Sequence, residues 1–169
     1  MRRLTAGMIL SFALLPSASL LADGGRPVFA FVGLNDLQEA FSTAEVRVLE
    51  NQLTSELVRL GENSGFSVTI PGNRGDIRER ITAPESQRRL GSLSRMVSAY
   101  AVIGGQLNKI SDEIYIDLRA IRVQDEALLG LVSSSFATVP EAIGQTRSML
   151  SEVFDDQLVA TAERLFEGN

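Results

Sequence analysis

The first sustained apolar run of the chain, Pro27 to Leu34, reads Pro-Val-Phe-Ala-Phe-Val-Gly-Leu. A short run without polar alternation, bounded by Pro27 and Asn35, suits a strand covered on both faces. Ser42 followed three residues later by Glu45 is a capping-box pattern, in which the serine oxygen and the glutamate carboxylate satisfy amides left open at a helix start. From there Val46, Leu49, Leu53, Leu57 and Leu60 recur at helical steps and predict a buried stripe. Glu45, Arg47, Glu50, Asn51, Glu56 and Arg59 fill the opposite, exposed face. Gly61 and Gly65 can end this helix, because glycine takes the left-handed conformation at little steric cost.

Phe66 to Ile70 predicts a second strand, closed by Pro71, Gly72 and Asn73. Arg74 to Ala83 is polar and reads as irregular or weakly helical. Pro84 and Glu85 suit the first turn of a second helix, since proline there gives up no needed amide bond. Leu90, Leu93, Met96 and Val97 form its buried stripe. Tyr100 to Ile110 and Ile114 to Val123 are two strands joined by a hairpin turn at Ser111 to Glu113. In the second, Ile114, Ile116, Leu118 and Ala120 face one way, and Tyr115, Asp117 and Arg119 the other. A turn at Gln124 to Glu126 leads to a strand over Ala127 to Val139, whose Ser133 to Ser135 mark it as an exposed edge. Pro140 and Glu141 begin a closing helix with Ile143, Met149, Leu150, Val153, Phe154, Leu158, Ala162 and Leu165 on its apolar side.

The predicted order is therefore β-α-β-α-β-β-β-α, an α/β (α+β) fold with a mixed sheet of four to five strands and helices packed on it. No internal repeat or low-complexity segment interrupts that order.

Residues before the first strand follow a different pattern. Met1, Arg2 and Arg3 give a positive start, Met8 to Leu15 with Leu20 and Leu21 are apolar, and small residues lead to Ala22 before Asp23. This is the order of a secretory signal peptide. The expected organisation is a leader over 1–22 and a single periplasmic domain over 23–169. A retained membrane anchor is the less favoured reading: the stretch is short of the roughly 18 to 20 residues of a span, and Pro16 breaks it. No stable membrane insertion is expected once the leader is removed.

Composition narrows the chemistry. The 169 residues are 44% hydrophobic and 22% charged, and contain neither histidine nor cysteine. Ser-His-Asp and Cys-His nucleophilic mechanisms lose their base, and zinc loses its usual ligands. Without cysteine there is no disulfide and no lipid-bearing residue behind the leader. No cofactor is expected. The adjacent acids Asp125–Glu126 and Asp155–Asp156 lack the spaced ligands and turn glycine of a calcium loop. Asp76, Glu79, Asp112, Glu113 and Asp117 carry no signature of a glycosidase pair. Gly104 and Gly105 belong to no phosphate loop and mark a bulge or a close helix contact. The formal net charge is −5, and losing Arg2 and Arg3 would make the remainder more acidic. That disfavours nucleic acid as a partner.

One segment departs from the acidic trend. Arg74, Arg78, Arg80, Arg88, Arg89 and Arg95 lie close together in sequence, against Asp76, Glu79 and Glu85. These six are the candidate partner-binding residues, able to grip carboxylates of a protein or an anionic wall polymer. The plainer alternative is a solvated helix face in a chain that prefers arginine to lysine.

Taken together, Val28-Phe29-Ala30-Phe31-Val32, Leu53 to Val58, Phe66 to Ile70, Arg74 with Asp76-Ile77, Ala101 to Leu107, and Ile114 to Arg119 before Ile121-Arg122-Val123 trace a known pattern. It resembles the envelope superfamily of the curli secretion channel (CsgG-like), the penicillin-binding-protein activators (LpoB-like) and the TolB amino-terminal domain. Gln124-Asp125-Glu126 stands where that family often has Thr-Gly-Glu. The resemblance covers about Pro27 to Phe154 and implies a periplasmic α/β domain used for protein contact or self-association. This chain lacks the lipidated cysteine of the channel and activator lipoproteins and the extra amphipathic hairpins of a barrel. The expectation is a non-catalytic periplasmic binding or adaptor protein of the cell envelope. Alternatives are an accessory of a flagellar or secretion apparatus, a small-ligand binder using the arginine segment, and a carboxylate-dependent enzyme acting on envelope glycans.

Overall fold

The computed structural model describes residues 26–82 and 93–154. The leader, Arg88, Arg89, the proposed helix start at Pro84, and Leu158, Ala162 and Leu165 lie outside them. Strand β1 (Val28–Asp36) is buried on both faces, as its unbroken apolar run requires. It pairs in parallel with β2 (Ser67–Thr69) on one side and β3 (Ala101–Ile110) on the other. β3 continues through antiparallel β4 (Glu113–Arg122) to β5 (Leu128–Phe136). The sheet order is β2-β1-β3-β4-β5, so β5 lies at an edge, where Ser133 and Ser135 are exposed. This is the predicted mixed sheet.

Helix α1 (Thr43–Ser64) starts on the capping box: the Glu45 amide donates to Ser42 Oγ at 3.3 Å and the Ser42 amide to Glu45 Oε2 at 2.8 Å. The Ser42 side chain, then its amide, hold the Glu45 carboxyl below its ordinary range. The helix runs through Gly61 and stops only at Gly65, whose φ of 77° is left-handed. Helix α4 (Val139–Val153) is capped by Thr138, with Pro140 in its first turn, and begins earlier than the sequence suggests. These two helices pack side by side on one face of the sheet. Leu49, Leu53, Leu57, Met149, Leu150 and Val153 meet the strand residues Phe31, Ile103, Ile116 and Leu118 there. At the centre Phe29 contacts Phe66 (4.6 Å between centroids), Tyr100 (5.6 Å) and Phe154 (5.4 Å).

The opposite face is covered by α2 (Arg74–Thr82) and a single helical turn, α3 (Leu93–Met96). Here the structure corrects the expectation, because Arg74–Thr82 is a regular helix. Ile77 and Ile81, four apart, supply its whole apolar stripe and pack on Ala30, Val32 and Val102. So little apolar surface left the segment looking irregular. Gly104 makes the close approach possible: a Cβ there would lie 2.7 Å from Ile81 Cδ1 and from Val32 Cγ2. The carbonyl end of α2 is held to the sheet by Gln106, whose Nε2 donates to Thr82 O at 3.3 Å.

Candidate functional site

Two residues of β1, Val32 and Gly33, occupy the space opposite Gly104 alone, since Phe31 pairs with Ile103 and Leu34 with Gly105. This bulge depends on Gly33, whose φ is +87°. It turns the Leu34 amide towards α1, where Glu50 Oε1 accepts it at 2.9 Å. Glu50 is therefore buried, contrary to its expected place on the exposed face of the helix. A buried carboxylate needs compensation, and arginines of α2 supply it. Arg78 Nη1 donates to Glu50 Oε1 at 3.3 Å, and Arg74 Nη1 stands 3.6 Å from Oε2.

Above this carboxylate, between α1 and the start of α2, lies an open groove of about 450 Å3. Arg47, Arg74 and Arg78 line it, with Glu50 as its one acid. The Glu50 side chain is only 11% exposed, Arg78 27% and Arg74 46%, so positive charge faces outward. Arg47 makes no ion pair among the described residues.

The four candidate arginines among the described residues do not lie on one surface. Arg74 and Arg78, four apart on one flank of α2, share the groove. Arg80 is turned to the other flank, where its Nη2 reaches both carboxylate oxygens of Glu126 at 2.8 Å. Those side chains are 14% and 3% exposed, and Glu126 also accepts the Leu93 amide at 3.2 Å. Arg80 therefore ties α2, α3 and the β4–β5 turn together and is mostly buried. Arg95 is exposed on α3, away from the groove lining. Arg88 and Arg89 lie outside the described residues. Arg47 is the residue that sequence reasoning missed; one turn before Glu50 on α1, it comes to the site where Glu50 meets Arg74 and Arg78 of α2.

Four of the acids considered for metal or catalysis have other uses. Asp125 Oδ1 accepts Arg122 Nε at 2.8 Å, and Glu126 belongs to Arg80. Glu113 accepts the Tyr115 hydroxyl at 2.8 Å, which raises the Tyr115 pKa. Asp117 accepts the Ser133 hydroxyl. Asp155 and Asp156 lie outside the described residues. Among the described residues no three acids, histidines or cysteines cluster as metal ligands, and no helix is long and apolar enough to cross a membrane.

No protein-family model and no curated protein matches the chain. Several solved structures align with it. TolB from Acinetobacter baumannii does so at 14% identity over 77% of this chain and 28% of that one, with a TM-score of 0.44. The Escherichia coli LpoB C-terminal domain aligns at 14% identity over 66% and 83%, with a TM-score of 0.39. The hypothetical protein CT253 from Chlamydia trachomatis aligns at 10% identity over 85% and 99%, with a TM-score of 0.46. The chain spans little more than a quarter of TolB. TolB and LpoB are two of the groups whose order of elements the sequence resembles. At these identities and scores the likeness concerns the course of the chain and assigns no residue a role.

Proposed function

We propose that this chain is an exported, non-catalytic binding or adaptor protein of the bacterial cell envelope, with a leader over 1–22 and a single periplasmic domain over 23–169. It works through contacts of its surface, and its partners are envelope proteins. The observation that carries the reading is the arginine-lined groove: an acidic chain lines an open cleft with three arginines and one acid. Arg47 pairs with no acid among the described residues, and Arg74 meets Glu50 only at 3.6 Å while nearly half exposed. The leader pattern supports a place beyond the inner membrane, and the lack of histidine and cysteine removes the commonest bond-making side chains.

Crosslinking in growing cells, followed by affinity recovery of the tagged protein, tests this reading. Reproducible recovery of the same envelope protein is expected. Repeated recovery of the chain alone, at crosslinker levels that capture other periplasmic complexes, would overturn it.

A further inference from the structure

The adaptor reading leaves open what chemistry the groove selects, and its hydrogen-bonding groups narrow the choice. Glu50 is fixed first by the Leu34 amide at 2.9 Å and then by Arg78 at 3.3 Å. Arg74, at 3.6 Å from Glu50 Oε2, lies beyond ordinary hydrogen-bond length and is nearly half exposed. Its donors, and those of Arg47, are open to an incoming anion. On the α1 side two hydroxyls are spoken for as donors: Thr54 Oγ1 donates to Glu50 O at 2.7 Å and Ser55 Oγ to Asn51 O at 3.0 Å. Their oxygens keep lone pairs and act as acceptors. The groove thus offers cationic donors from both helices, Arg47 on α1 and Arg74 on α2, beside neutral hydroxyl and amide groups on α1.

A polyphosphate matches the arginines but has no donor for Thr54 and Ser55 and leaves Ile70 uncovered. A sugar acid could do both, but no aromatic ring lines the groove to receive a sugar face. An acidic residue within a peptide fits each part: its carboxylate meets the arginines, its backbone N–H groups meet Thr54 and Ser55, and an apolar neighbour covers Ile70, which is 49% exposed in the lining. We propose that this groove recognises an acidic side chain of a protein partner, seated between Arg47 and Arg74 while Arg78 stays on Glu50. This rests on the adaptor reading and specifies the contact it uses.

The test is an NMR titration of the 15N-labelled protein with the blocked tripeptide acetyl-Leu-Glu-Leu-amide, its Gln counterpart, and glucuronic acid. Saturable shifts of the Arg74 side-chain N–H and of backbone amides over 43–55 are expected with the Glu peptide. Affinity should fall at least tenfold for the Gln peptide and for the Arg47→Ala, Arg74→Ala double variant, with dispersed spectra showing that the fold is intact. Arg74→Lys, which keeps the charge but not the two-pronged geometry, should fall between. Equal shifts with the Gln peptide, no shifts at all, or tighter binding of glucuronic acid would each overturn the inference. Its failure separates from that of the adaptor reading. If the double variant still recovers crosslinked partners at the unaltered level, the groove assignment falls and the adaptor stands. If the unaltered protein recovers none, the adaptor reading falls.

Discussion

Glu50, on the second turn of α1, accepts the amide of Leu34 in β1, sixteen residues earlier in the chain, at 2.9 Å. That bond exists because Gly33 carries a φ of +87°, and a Cβ at Gly33 would overlap Glu50 Oε1. Gly33→Ala should therefore destabilise the fold by about 2 kcal/mol or more, combining backbone strain with displacement of a buried carboxylate. Urea unfolding measures this; an unchanged midpoint would show that the bulge is not held by Glu50.

Arg80→Ala should cost about 3 kcal/mol, because it takes from the Glu126 carboxylate, 3% exposed, the Nη2 group that bonds both its oxygens. Replacing both, as Arg80→Met with Glu126→Leu, should recover part of the loss but not the acceptor for the Leu93 amide. The same unfolding experiment decides, and Arg80→Ala at unaltered stability would mean that the pair does not clamp α2 to the β4–β5 turn.

Phe29 touches three other rings and is 1% exposed. Phe29→Ala should cost about 4 kcal/mol by opening a cavity at the centre of the larger core, and Phe29→Leu about 1.5 kcal/mol. Thermal unfolding of the two variants should rank them in that order.

The hydrogen bond from Arg122 holds the Asp125 carboxyl below the usual aspartate range. A carboxyl whose pKa is lower folded than unfolded stabilises the fold above its unfolded pKa and loses that contribution as pH falls through the folded one. Asp125→Asn should therefore melt at a lower temperature than the unaltered chain near pH 7. The gap should close below about pH 4, the ordinary aspartate range. A gap independent of pH from 7 to 3 would assign the effect to turn geometry instead of charge.

Local signals in the sequence carried most of the fold. The Ser42–Glu45 cap and the Leu49, Leu53, Leu57 stripe are spaced within one or two turns, so they read directly as a helix start and a buried face. The alternation of Ile114, Ile116 and Leu118 with Tyr115 and Asp117 likewise set the faces of β4. Features that depend on distant partners were hidden. Glu50 sits beside Leu49 on the helical wheel and reads as solvent-facing until a bulge sixteen residues away presents an amide to it. Arg80 looks like its neighbours Arg74 and Arg78, and only Glu126, 46 residues on, turns it inward. Arg47 joins the groove because Glu50 on α1 reaches Arg74 and Arg78 on α2, which no spacing along the chain encodes.

The central claim is that the chain works outside the inner membrane after its leader is removed. Intact-mass analysis of the protein from separated periplasmic and cytosolic fractions of growing cells tests it most directly. The account predicts a periplasmic species beginning at Asp23; a cytosolic species that retains Met1 would contradict it.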